Sequence, residues 1–280
     1  MCHSAEHRLG AQAEAGVFML TGRDGSGGSV HSLGADGAIG FDYQFVHRHF
    51  VLATGLGAFA GGTAFRVEDR TANIPNAVDK DGYVFNYQYR FSRRKDRYTP
   101  VGLRLPMMAG VEIGAYQIMA GCSFAWYAYG KTDIRCNVET WGEYKEFIDP
   151  FTGMPEHQFY ADQRISRQDR YLLKPDIRVC FEASRLIKPA SQSRTARFFY
   201  SIGIYAEYGV TDILRGGKAS LVSAPTTFKD SPSMLTDIAL NHYLSTEQMH
   251  TGALHSLRAG VRLHIFFPVA KQERCVCLLW

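Results

Sequence analysis

Residues 254–267, "LHSLRAGVRLHIFF", decide the fold class because apolar and polar side chains alternate through them. One face is apolar and is made of Leu257, Ala259, Val261, Leu263, Ile265 and Phe267. Successive side chains of a β-strand point to opposite faces, so this alternation predicts a strand. The other face carries Arg258, Arg262 and His264, which raises the question of what that charged face looks into.

The same period of two recurs along the chain. It predicts eight strands, near 8–20, 38–47, 50–65, 99–114, 116–130, 172–186, 197–211 and 254–268. Most of them exceed the roughly 9–11 residues that a tilted strand needs to cross a bilayer core. With no internal repeat and no linker composition, we expect one domain over residues 1–280, with a tail at 269–280.

The links between these strands alternate between short and long. Turns at "VHRHF" and "IGAYQ" are short, the link "KPASQSRTA" is moderate, and the remaining links at 22–37, 66–98, 131–171 and 212–253 are long. Membrane barrels have short periplasmic turns and long outer loops. The pattern therefore predicts an all-β fold, an eight-stranded antiparallel transmembrane β-barrel with four long extracellular loops and both termini in the periplasm.

Two of the long links contain further structure. The segment "YVFNYQYRFSRRKDRY" at 83–98 also alternates, so we expect it to extend the barrel wall. The third long link contains "DPFTG", which is typical of a projecting hairpin.

The polar face of each strand should look into the barrel. An eight-stranded barrel is just wide enough for side chains to fill it. Five acids, four arginines and one histidine are predicted inside, namely Glu14, Asp42, Arg104, Glu112, Arg178, Glu182, Glu207, Arg258, Arg262 and His264. Unpaired buried charges are costly, so this near-balance predicts ion pairing and a plugged lumen. The alternative is a soluble barrel or sandwich with one wet face, for which Lys, Thr and Ser would be more typical.

Composition excludes several other functions. The net charge is +4 without a dominant basic run, which argues against nucleic acid. No nucleophile motif with fixed spacing appears, so we expect no enzyme, although Asp149, His157, Asp162, His242 and His250 lie in the predicted outer loops. The start "MCHSAEHRLG" shows no signal peptide, so the chain is either cytosolic or begins after processing, and the strand pattern favours processing.

Cysteines and histidines gather at the predicted periplasmic end. This set consists of Cys2, His3, His7, His47, His49, Cys275 and Cys277. A disulfide between the termini is the first interpretation, because the periplasm is oxidising. A zinc site is the second, since thiolate and imidazole are ligands that zinc prefers in sets of four. Cys122 should face lipid and Cys180 the lumen, so these two should not form a disulfide.

Two stretches resemble a known family. These are "VDKDGYVFNYQYRFSRRKDRYTPVGLRLPMMAGVEIG" at 78–114 and "GVRLHIFFPVAKQERCVC" at 260–277. They resemble the eight-stranded outer-membrane barrels of OmpA-like architecture, of the Bacteroidota type. The chain departs from that family because residues 268–280 follow Phe267, where a terminal aromatic residue is usual.

This resemblance implies a location in the outer membrane of a Gram-negative bacterium. It implies a structural or accessory subunit of a larger envelope complex, of the secretion or barrel-assembly type, or a protein that displays its loops for interaction. The implied partners are outer-membrane lipid, including lipopolysaccharide, and other outer-membrane or periplasmic proteins. A loop-based outer-membrane enzyme or a lipid-binding barrel is the alternative.

Overall fold

The computed structural model describes residues 2–23, 29–67, 69–78, 81–147, 149–154, 159–187, 198–215, 222–223, 239–246 and 253–275. At 2–4, 70, 72, 222–223, 239–240 and 270–275 it describes the backbone alone. The strands are β1 Cys2–Arg23, β2 Ser29–His47, β3 Phe50–Arg66, β4 Arg70–Val78, β5 Val84–Ile113, β6 Tyr116–Tyr144, β7 Gln163–Arg170, β8 Asp176–Ile187, β9 Phe199–Gly209, β10 Val222–Ser223, β11 Ala239–Leu240 and β12 Ala253–Cys275. A short 3-10 helix spans Tyr243–Ser245.

Eight of these strands close into a ring. Its order is β1, β2, β3, β5, β6, β8, β9 and β12, and β12 pairs back onto β1. Every pairing around the ring is antiparallel. The prediction of an all-β, antiparallel, eight-stranded ring is therefore confirmed. The sandwich alternative does not fit, because a closed ring has no second packed sheet.

Burial alternates along the ring strands as the pattern predicts. In β12, Arg258, Arg262 and His264 are buried, whereas Val261 and Leu263 are exposed. Inward side chains are covered by the opposite wall of a narrow ring, and outward ones have nothing over them. Small inward residues leave the room that these long side chains need: a Cβ at Gly209 would lie 2.7 Å from a carboxylate oxygen of Asp176.

The wall continues beyond the ring on one side. β5 and β6 are 30 and 29 residues long, and their upper parts pair with each other. On its other edge the upper part of β5 pairs mainly with β4, and that of β6 pairs with β7. We call β4, residues 84–98 of β5, residues 131–144 of β6, and β7 the extension. Its inward face packs a second apolar cluster that includes Tyr87, Phe91, Ile134 and Val138. This burial explains why most of the predicted loops 66–98 and 131–171 are in fact strand.

Two other predicted boundaries are wrong. β2 begins at Ser29, inside the predicted loop 22–37, because residues 29–37 pair with the upper part of β1. β12 continues to Cys275, so 269–275 is not a free tail. These residues pair with the first residues of β1, which satisfies backbone groups that would otherwise be left at an open edge.

The ends of the ring are simple. The predicted short turns between β2 and β3 and between β5 and β6 each have two residues, with Arg48 and Gly114 at positive φ. The predicted link 188–197 lies outside the described residues. The described part of the chain contains no helix with the length and hydropathy of a transmembrane span.

Candidate functional site

The middle of the barrel is crossed by a network of ion pairs centred on Glu207. Its two carboxylate oxygens accept hydrogen bonds from Arg104 at 2.7 Å, Arg258 at 2.9 Å, Arg178 at 3.2 Å and Arg262 at 3.3 Å. These arginines come from β5, β8 and β12, whereas Glu207 is on β9. One carboxylate therefore ties together strands on different sides of the lumen.

A second carboxylate, Glu14 on β1, pairs with three of the same arginines. It accepts from Arg262 Nε at 2.5 Å, from Arg258 at 3.4 Å and from Arg104 Nη2. Because each guanidinium has five donors in a fixed fork, it can serve both Glu14 and Glu207. The two carboxylates and three arginines thus form a buried cage of charge-assisted hydrogen bonds.

His264 extends the network towards the short-turn end. Its Nδ1 lies 2.7 Å from Asp42 and its Nε2 lies 3.1 Å from Glu182, which also accepts from Arg262. An ionised carboxylate can only accept hydrogen bonds, so a ring that contacts two of them must carry a proton on each nitrogen. His264 therefore acts as a fifth cation of the interior.

Aromatic rings contact the faces of the arginine guanidinium groups that no carboxylate contacts. The Arg262 guanidinium lies 4.9 Å from the centroid of Tyr205, and that of Arg178 lies 5.4 Å from Phe59. Cation–π contacts of this kind stabilise a desolvated cation by about 2 kcal/mol. The arrangement holds each of these guanidinium groups between carboxylates and aromatic rings.

All ten predicted interior residues face inward, and nine of them join this network. The exception is Glu112, which accepts from Arg8 at 2.6 Å near the short-turn end. Sequence reasoning missed Arg8, Asp36 and Asp176. Each of them shares the odd–even position of its strand's inward face. Arg8 and Asp176 lie within the predicted strands 8–20 and 172–186, and Asp36 lies two residues before the predicted strand 38–47, so the alternation applied to whole strands would have found the first two and a short extension the third.

The lumen is filled above and below the network as well. Below it, the amides of Gln44 and Gln117 contact each other, and Phe199 packs against Phe266. Above it lies an apolar cluster formed by inward strand residues and by 213–214 and 244 of the last long link, including Leu20, Phe65, Tyr98, Ile213, Leu214 and Leu244. Among the described residues, side chains therefore pack across the lumen at three levels.

A segment of the last long link, 241–246, is held inside the mouth by a buried ion pair. Arg94 and Asp96 form two hydrogen bonds of 2.8 Å with each other. Arg94 also donates to the carbonyl of Asn241 at 2.5 Å, and Asp96 accepts from the amide of Tyr243 at 2.8 Å. The segment 241–246 therefore lies inside the mouth and adds to the side chains that fill it.

His242 makes this segment sensitive to pH. Burial lowers the pKa of His242 to about 4, and its Nδ1 accepts a hydrogen bond from the amide of Leu244. In the unfolded chain the ring takes up a proton near pH 6.5, so acidification from 6.5 towards 4 favours the released segment, by at most roughly 3 kcal/mol. We expect the protection factor of the Leu244 amide, which is its exchange rate corrected for the intrinsic effect of pH, to fall over that range. In His242→Asn, which keeps an acceptor at the same cap, this loss of protection should be absent; an equal loss in both proteins would contradict the assignment.

The predicted cysteine and histidine set is only partly described. Cys2 is paired with Cys275 in the β1–β12 register, but their side chains, that of His3 and all of Cys277 lie outside the described residues. His7 contacts the hydroxyl of Tyr43 at 2.6 Å, and the His49 ring lies 3.1 Å from the carbonyl of Glu112. His47 stacks on Phe45. Among the side chains that are described, no three metal-binding groups cluster.

Disulfide and zinc therefore both stay predictions, and directly opposed cysteines favour the disulfide. We expect the intact mass to rise by about 2 Da on reduction, because the bond takes up two hydrogens. Bound zinc, released on acidification and without that mass change, would overturn the disulfide. Of the other cysteines, Cys122 is exposed on the outer wall and Cys180 is buried in the lumen, and both are free thiols.

Of the loop residues that could have suggested an enzyme, the three that the structure describes lie in different surroundings. Asp162 accepts from Asn137 on the extension, whereas His242 is buried in the barrel mouth. Asp149 lies in the described turn after β6, and His157 and His250 lie outside the described residues. Comparison with known proteins adds no assignment: no family model matches the chain, and no curated protein matches its sequence.

Proposed function

We propose that this chain is an outer-membrane β-barrel of OmpA-like architecture whose ring strands span the bilayer. Its lumen is closed, and it works as a structural or accessory subunit of a larger envelope complex or as a protein that presents its extension for interaction. One observation carries this proposal: the barrel is charged inside and apolar outside, the reverse of a soluble protein.

The apolar outside forms a belt around the whole ring. Every ring strand contributes exposed apolar side chains to it, among them Leu9, Val17, Ile39, Phe41, Leu52, Leu56, Leu103, Leu105, Ile118, Phe124, Ile177, Val179, Ile202, Ile204, Val261 and Leu263. Water-soluble monomers rarely expose apolar patches beyond a few hundred Å². A bilayer covers such a belt, and outward-facing apolar bands are characteristic of outer-membrane barrels.

A structural role fits the interior better than transport does. A transport pore needs a continuous wet path, whereas here the ion-pair cage centred on Glu207 lies between two apolar layers. The cage supplies rigidity, because each guanidinium is fixed by more than one partner. A rigid barrel whose wall continues into the extension is suited to binding other envelope components.

The extension is the part best placed for interaction. At its tip Tyr83 and Phe147 are more than half exposed, and a cleft of about 260 Å³ is lined by Tyr144, Phe151 and Phe159. Exposed aromatic residues are enriched at protein interfaces. Co-purification after gentle extraction from native membranes tests this part of the proposal, with Tyr83→Asp/Phe147→Asp as the variant that should lose a specific companion chain.

The closed lumen makes its own prediction. Purified protein in planar bilayers should pass little or no stable current, because side chains fill an eight-stranded barrel at every level. Insertion is verified in parallel by heat-modifiable migration on gels. Large, steady openings from inserted protein would show that the interior is a conducting path.

A further inference from the structure

A strongly basic cleft opens on the outward face of the extension. Its volume is about 540 Å³, and it lies where β5, β6 and β7 run side by side. Five cationic residues line it, namely Arg93, Lys95, Arg97, Arg135 and Arg164, against two acids, Asp133 and Asp162. No part of the plugged interior uses these side chains, so the cleft needs a separate explanation.

A β-bulge in β5 shapes this cleft. Ser92 pairs with Asn137, and Lys95 pairs with Arg135. Two residues of β5, Arg93 and Arg94, therefore lie opposite one residue of β6, Cys136. Arg93 adopts a φ of 52°, and its amide donates to Asp69 at 3.1 Å. Bulges re-aim side chains, and a non-glycine residue at positive φ is rare. The bulge keeps Arg94 buried in the barrel while Arg93 is exposed beside Lys95 and Arg97.

Most of the positive charge in the cleft has no ion-pair partner among the residues that the structure describes. Asp133 is paired with Arg135 at 3.0 Å, and Asp162 accepts from Asn137. Within the described residues no carboxylate forms an ion pair with Arg93, Lys95, Arg97 or Arg164. Among the described lining residues, five cations against two carboxylates leave a net charge of +3, which makes the cleft a candidate site for a multiply charged anion. Guanidinium groups match the geometry of phosphate with paired hydrogen bonds.

The height of the cleft indicates where that anion comes from. On β6, Tyr129 is the last exposed apolar residue of the belt, and the outward positions above it are Lys131, Asp133 and Arg135. The cleft residues lie level with positions four to eight beyond Tyr129 on β6, about 13–27 Å along a strand. At the usual barrel tilt the cleft is about 10–20 Å above the belt. A phosphate at the acyl-chain boundary lies too low, whereas a phosphorylated sugar headgroup reaches this level.

We propose that the basic cleft binds phosphoryl groups on the oligosaccharide headgroup of an outer-leaflet glycolipid of the lipopolysaccharide class. This proposal rests on the proposed location in the outer membrane. It names the lipid partner of the extension and the residues that hold it. The same chemistry could come from a soluble phosphorylated sugar, and the experiment is designed to separate the two sources.

The test compares two double variants that each remove two positive charges. Arg97→Gln/Arg164→Gln changes the cleft, whereas Arg90→Gln/Arg185→Gln changes exposed arginines outside it. Binding of lipopolysaccharide with a phosphorylated core to the full chain in detergent micelles is measured by calorimetry. Since charge-assisted hydrogen bonds are the strong ones, we expect affinity to fall at least about tenfold in the cleft variant and less than about twofold in the control. Phosphatase-treated lipopolysaccharide should bind the unchanged protein as weakly as the intact lipid binds the cleft variant.

Several outcomes would overturn this proposal. Equal losses in both variants would show a general charge effect, and equal binding after phosphatase treatment would remove phosphate from the interaction. Competition at equal affinity by glucose 6-phosphate would assign the cleft to a soluble phosphosugar, and competition by polyglutamate would assign it to an acidic peptide. Insertion into liposomes is scored separately: a protein that inserts but shows no cleft effect refutes only the ligand, and one that never inserts refutes the proposed location.

Discussion

Replacing Glu207 with glutamine is expected to lower the free energy of unfolding by about 3–5 kcal/mol, the cost of removing one partner from a buried ion pair. The side chain keeps its shape, but one acceptor oxygen becomes an amide donor. That donor then faces two guanidinium groups that can only donate. Denaturant-induced unfolding of the folded barrel in detergent or lipid measures the change.

The matched control is Glu139→Gln on the extension. Glu139 also pairs with an arginine, Arg90 at 3.3 Å, but both side chains are largely exposed. Exposed ion pairs contribute about 0–1 kcal/mol, so this variant should be close to wild type. Equal stabilities for the Glu207 and Glu139 variants would mean that the interior cage does not hold the barrel together.

The substitution Leu263→Arg is expected to destabilise the bilayer-inserted barrel by about 2–4 kcal/mol, as arginine does on the lipid face near the midplane. Leu263 points outward near the middle of the belt, between Ala13 on β1 and Ile202 on β9. Unfolding in lipid vesicles, followed by heat-modifiable gel migration, provides the measurement.

Val84→Arg is the control that shows whether the belt is surrounded by a membrane or by water. Val84 is 46% exposed in β5 and Leu263 is 43% exposed in β12, so the two positions are equally open. They differ in position, because Val84 lies at the tip of the extension. A barrel surrounded by water would tolerate arginine equally at both positions, and that result would refute membrane insertion.

The alternation of side chains could be read from the sequence with few errors. Inward or outward orientation depends only on the period of two, which is a local property of the backbone. Residues as far apart as Glu14, Asp42 and Arg262 were therefore assigned to one interior before any contact was known. Where this reasoning stopped too early, as at Asp36, glycines around it made the strand resemble a loop.

The alternation at 83–98 predicted the upper part of β5, but the length of β6 was less accessible. Residues 131–144 alternate as well as the ring strands do, but long links are expected to lie outside a barrel. They form strand here because β4, β7 and each other supply hydrogen-bond partners and a buried apolar face. That support comes from segments distant in sequence, so no local pattern reports it.

By itself, the sequence determined an antiparallel barrel with charges inside, because a period of two assigns each side chain to a face and a narrow ring encloses one of them. Only the tertiary structure decided which acidic side chain forms an ion pair with which basic one. Register and strand tilt bring four arginines to Glu207 and place His264 between Asp42 and Glu182. They also pair Glu112 with Arg8, apart from the network around Glu207. The same holds for the basic cleft, which exists because one bulge in β5 turns Arg93 outward beside cations from two other strands. Such pairings depend on distances across the barrel, and these are set by closure of the whole ring.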